Sequence, residues 1–78
     1  MEVRDTLISI FAKLEFDLDQ IDDGTRLKED LEIDSTELAE IAVAIESAFL
    51  VQVDDSELRG LATFGDVVAY VATARNAS

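Results

Sequence analysis

Apolar residues recur along this chain at spacings of three and four, the period of a helix that buries one face. Val3, Leu7, Ile10, Phe11 and Leu14 make one such stripe and predict a helix over 3–14. The cleanest stripe is Leu38, Ile41, Ala42, Ile45, Ala48 and Phe49, which predicts a second helix over 35–49. Val67, Val68 and Val71 predict a last helix over 64–74, with Thr63 and Asp66 spaced for a reciprocal N-terminal cap. A short third helix fits at 56–60, with Gly60 as its stop. No segment alternates at a strand period. "FLVQV" is too short to make a sheet alone, so Val53 is expected in an extended connector.

The pattern therefore predicts an all-α four-helix bundle with three long helices, a short third helix and a long loop over 15–33. That loop mixes acids with spaced apolar residues: Phe16, Leu18, Ile21, Leu27, Leu31 and Ile33. A connection this long in a small domain is usually functional or packed by its own side chains. The spaced apolar residues favour packing across the bundle end, with Gly24 as the turn point. No repeat or low-complexity linker divides the 78 residues, so one domain over 1–78 is expected.

Composition narrows the chemistry. The chain has no cysteine and no histidine, which removes disulfides, thiol nucleophiles, the commonest metal ligand and the usual general base. Catalysis would have to rest on carboxylates alone, so a non-enzyme is expected. Eighteen acids against six bases give a net charge of −12, which disfavours nucleic acid and anionic membranes and favours partners with basic patches. The N-terminus has no signal-peptide layout, and no apolar run approaches the roughly 18 residues that span a bilayer. The expectation is a cytoplasmic monomer.

Two acidic motifs invite function. "DLDQIDDG" places Asp17 and Asp19 at the first and third positions of a calcium loop. Ile21, Asp22 and Lys28 then stand where that loop needs an oxygen ligand, a glycine and a glutamate, so no metal site is assigned. "DSTE" over 34–37 reads as a helix start, with Asp34 as N-cap and Glu37 completing a capping box. Ser35 then carries its hydroxyl at the positive end of a helix dipole, where an attached phosphate is well placed. Ser56, in "VDDSEL", poses the same question without a long helix behind it. On the second helix Glu37, Glu40, Ala44 and Ser47 share an outer stripe flanked by Val43 and Glu46. No base lies between Lys28 and Arg59 to neutralise those acids, a surface suited to a basic, partly apolar partner.

In this order, "EDLEIDS", "AIESAF", "VQVDDSEL" and "LATFGDVVAYV" resemble the acyl carrier proteins of fatty-acid and polyketide synthesis, over nearly the whole chain. The resemblance implies a carrier with no active site. Ser35 would hold a 4'-phosphopantetheine arm, installed by a phosphopantetheinyl transferase. Asp34 would help to position the transferase's metal ion and the phosphodiester. The arm's thiol would hold acyl groups as thioesters, and Thr36, Glu37, Glu40, Val43 and Glu46 would meet acyl-loading and acyl-processing enzymes through basic patches. Two positions depart from the family pattern: Thr36 replaces a usual Leu, and Glu32 a usual Gly before the attachment turn. Both point towards a specialised carrier, such as one of a polyketide or related secondary pathway. The competing readings are an acidic interaction adaptor without covalent cargo and a carrier of the same fold loaded with an aminoacyl group.

Overall fold

The computed structural model describes residues 3–16, 19 and 21–77. It contains α1 (Val3–Lys13), α2 (Ser35–Phe49), α3 (Asp55–Arg59) and α4 (Phe64–Ala77), and no strand among the described residues. The all-α four-helix architecture read from the periodicity is the architecture found. α2 packs against α1 and α3, and α1 also packs against α4.

Element ends moved by up to three residues, each for a local reason. α1 stops at Lys13 because Glu15 turns left-handed (φ 67°) and closes a Schellman motif. The Glu15 amide donates to the Ala12 carbonyl and the Phe16 amide to the Phe11 carbonyl (3.0 and 3.1 Å). The apolar contact that accompanies such a cap is present, with the Phe16 ring 5.6 Å from that of Phe11. α3 begins one residue earlier than expected, since Asp54 accepts the Ser56 and Glu57 amides as its N-cap. Gly60 ends α3 as expected, but in a right-handed conformation (φ −80°) that any residue adopts. α4 runs three residues beyond the expected Ala74. Its Thr63–Asp66 cap forms in both directions (3.1 and 3.2 Å).

The core joins Leu7, Ile10 and Phe11 of α1 to Leu38, Ile41, Ala42 and Ile45 of α2, with Leu58 from α3 and Phe64, Val67 and Val71 from α4. Phe11 and Phe64 meet edge to face at 5.3 Å. Two helical assignments from periodicity are corrected. Ala48 was expected in the core but is exposed, because the α2 seam ends at Ile45 and half-buried Phe49. Ala44 was expected on the outer stripe but is half-buried against the core.

The loop packs as expected. Leu27 and Ile33 are buried, and Phe16, Ile21 and Leu31 are half-buried against the core. Leu18 lies outside the described residues, as does Asp17 of the calcium comparison. Around Gly24, the Asp22 carboxylate accepts the Gly24 amide (2.9 Å) and the Thr25 hydroxyl oxygen accepts the Asp22 amide (2.8 Å). The loop is then stitched to the entry of α4. Leu27 donates to Ala62 (2.9 Å), Phe64 to Thr25 (2.8 Å) and Gly65 to Asp23 (3.0 Å). Gly65 is required by that approach: a Cβ there would sit 2.8 Å from the Asp23 carbonyl oxygen. Val53 lies in an extended connector as expected, while its neighbour Val51 is buried.

Candidate functional site

Ser35 is the first residue of α2 and is exposed. The turn that delivers it is built from three residues. Ile33 anchors it, being buried and bonded through its amide to the Leu27 carbonyl (3.0 Å). Glu32 follows a left-handed path (φ 54°), so the departure from the family's glycine leaves a left-handed turn at the expense of a strained side-chain-bearing residue. Asp34 is extended and caps the helix. Its Oδ1 accepts the Glu37 amide (2.8 Å), and Glu37 Oε1 accepts the Asp34 amide (3.1 Å).

The capping box expected from "DSTE" is therefore complete, and it has a functional consequence. Because Asp34 and Glu37 cap each other, the Ser35 backbone is held while its hydroxyl plays no part in the cap. That hydroxyl borders a groove of about 200 Å³ between α2 and α3, lined by Ser35, Leu38, Ala39, Asp55 and Arg59. Ser56, by contrast, is the second residue of the five-residue α3 capped by Asp54 and does not line this groove.

The residues read as a partner face divide in two. Thr36, Glu40 and Val43 are exposed, with Val43 62% exposed for an apolar side chain. Glu37 and Glu46 are half-buried and already bonded within the chain. Glu37 closes the capping box, and Glu46 Oε2 accepts the Val53 amide (3.1 Å), which fixes the connector after α2. α3 is held from the other side: the Asp54 amide donates to the Tyr70 hydroxyl, which in turn donates to Glu57 (both 3.2 Å). The Asp54 amide pulls the Tyr70 pKa down. Burial and the Glu57 bond and charge outweigh it, leaving the phenol above its ordinary value.

Sequence reading missed Leu38, Ala39, Asp55 and Arg59 as neighbours of Ser35. Periodicity places Leu38 in the core and assigns Asp55 no role, since only tertiary packing brings α3 against the start of α2. Arg59 did carry a signal, as the sole base between Lys28 and Arg75. Among the described residues no cluster of three or more His, Cys, Asp or Glu could hold a metal ion. No helix among them is long and apolar enough to cross a membrane.

The family described as "Phosphopantetheine attachment site" matches residues 5–71 of the chain. An acyl carrier protein of Thermotoga maritima is 39% identical over 80% of this chain and 76% of its own length. An acyl carrier protein of Rhodococcus erythropolis is 51% identical over 55% of the chain, and the match spans less than half (47%) of that relative. A meromycolate extension acyl carrier protein of Mycolicibacterium smegmatis is likewise 51% identical over 55% of the chain and 43% of its own length. An exposed serine on a capped helix, beside a groove and in a family-wide match, fits a covalent phosphopantetheine. The chain belongs to the acyl carrier protein family, non-catalytic carriers that work through a phosphopantetheine arm.

Proposed function

We propose that Ser35 carries the arm and that residues 1–78 work as one carrier domain, a cytoplasmic monomer presenting acyl thioesters to partner enzymes. The observation that carries this reading is the exposed Ser35 hydroxyl, free of the capping box and bordering the α2–α3 groove. In the loading reaction Ser35 Oγ forms a bond to the pantetheine phosphorus of coenzyme A, 3',5'-ADP leaves, and the hydroxyl proton passes to the transferase. The arm then supplies the thiol that this cysteine-free chain lacks. Asp34 holds the serine at the helix start through its Oδ1, and Oδ2 lies outside the capping box for the transferase's metal ion.

Docking falls to Thr36, Glu40 and Val43, with the partly bonded Glu37 and Glu46 contributing charge. The polar Thr36 next to the attachment site supports a specialised partner set, such as a polyketide pathway, over housekeeping fatty-acid synthesis.

Intact mass after incubation with coenzyme A, magnesium and a broad-specificity phosphopantetheinyl transferase tests the site. One phosphopantetheine increment is expected in the parent chain and in Ser56→Ala, and none in Ser35→Ala. Loading that survives in Ser35→Ala would move the site elsewhere. No loading even with a cognate transferase would leave the acidic adaptor.

A further inference from the structure

The α2–α3 groove combines a serine with one cation in surroundings that otherwise repel anions. Asp34 and Glu37 lie at its helix start and Asp55 on its wall, in a chain of net charge −12. The helix end itself has little left to offer a phosphate. The Glu37 amide is committed to Asp34 Oδ1 and the Leu38 amide to the Asp34 carbonyl (2.8 and 2.9 Å), so only the Ser35 and Thr36 amides stand outside those bonds.

Arg59 is the one basic residue lining the groove. Its Nε donates to the Asp55 carbonyl (3.3 Å), which anchors the guanidinium on α3 and leaves both Nη groups outside that bond. Among the described residues no carboxylate lies within 4.0 Å of it, whereas Arg26 is paired with Glu29 and Asp30, and Arg4 with Asp23. Arg59 also borders a second depression of about 230 Å³ with Arg26, Lys28 and Glu29; Arg26 is offset there by Glu29 and Asp30, so Lys28 is the further positive charge beside Arg59. A guanidinium with two unspent donors matches a phosphodiester's paired oxygens better than an ammonium does.

Resting on Ser35 as the attachment site, we infer that Arg59 is a cofactor-binding residue that holds the arm's phosphodiester across the groove, tying α3 to the start of α2 in the loaded protein. The pair is solvent-exposed, so it biases the arm's position without immobilising it and is sensitive to salt.

The test uses the ¹⁵N-labelled 78-residue chain before and after loading, with loading verified by intact mass. On loading, the Arg59 Nη–H resonances and the amides of 55–60 are expected to shift, and exchange of those Nη–H protons with water to slow several-fold. Salt at about 1 M, where the screening length is about 3 Å, should reverse most of this. The phosphorus-31 resonance of the diester should move in Arg59→Gln and move less in Arg59→Lys. A loaded chain whose Arg59 Nη–H signals are unchanged, or whose phosphorus signal is the same in Arg59→Gln, overturns the inference while leaving Ser35 in place. A mass increment that persists in Ser35→Ala, or never appears, removes the attachment reading, and the inference falls with it.

Discussion

The loop over 15–33 and the outer face of α2 are both acidic, yet their acids have different fates. In the loop, Asp22 builds the turn at Gly24, Asp23 pairs with Arg4, and Glu29 and Asp30 flank Arg26. On α2, no ion pair forms among the described residues: Glu40 is exposed, and Glu37 and Glu46 accept only backbone amides. The difference follows from where bases fall in the sequence, since Arg4, Arg26 and Lys28 reach the loop and none occurs from 29 to 58. Acids beside bases and turns become structure; on the base-free helix Glu37 and Glu46 bond backbone amides without a neutralising base, and Glu40 stays available to a partner.

Substitutions can break or sharpen this contrast. The largest effect is expected for Leu27→Ala, because this loop residue is 2% exposed within the core. Urea unfolding should show a loss of about 2–5 kcal/mol, as for other buried leucines. A loss under 0.5 kcal/mol would mean the loop is a covering and no part of the core. Gly65→Ala comes next. Its Cβ would meet the Asp23 carbonyl, and parting the loop from α4 should cost about 1–3 kcal/mol. In the opposite direction, Glu32→Gly should raise the unfolding midpoint by relieving a left-handed residue, a gain of about 1 kcal/mol reduced by the extra freedom of glycine in the unfolded chain.

On α2 the pattern should reverse. Glu40→Lys is expected to alter stability by less than about 0.5 kcal/mol, as exposed positions do. It should nevertheless raise the transferase KM several-fold, with a weaker salt dependence. Equal KM values for both chains would remove Glu40 from the docking face.

The smallest expected effect is on pH dependence. Hydrogen bonding to Arg4 lowers the Asp23 pKa, and the Arg26 amide and guanidinium lower that of Asp30. Both folded values lie below the ordinary 3.8, so their stabilisation is complete above that pH and disappears as pH falls through the lowered values. Thermal midpoints of Arg26→Gln should therefore differ from the parent's at neutral pH and converge with them in acid. A constant gap would mean that Arg26 acts through packing alone.

The sequence by itself determined the helices, the N-terminal caps of α2 and α4 and the candidate serine at the head of α2. Each rests on contacts within a few residues: the stripe from Leu38 to Ile45, the Asp34–Glu37 box, the Thr63–Asp66 pair. It also exposed the base-free stretch that leaves the α2 acids unpaired. Ala44 and Ala48 escaped because a small apolar residue reads alike on either flank of a stripe, and only the neighbouring elements decide which flank is covered. The left-handed turns at Glu15 and Glu32 carry no glycine to announce them. Tertiary structure alone decided what surrounds Ser35. Asp55 and Arg59 lie 20 and 24 residues further along the chain, and no local periodicity reports that α3 folds back to set a guanidinium on the groove beside the serine.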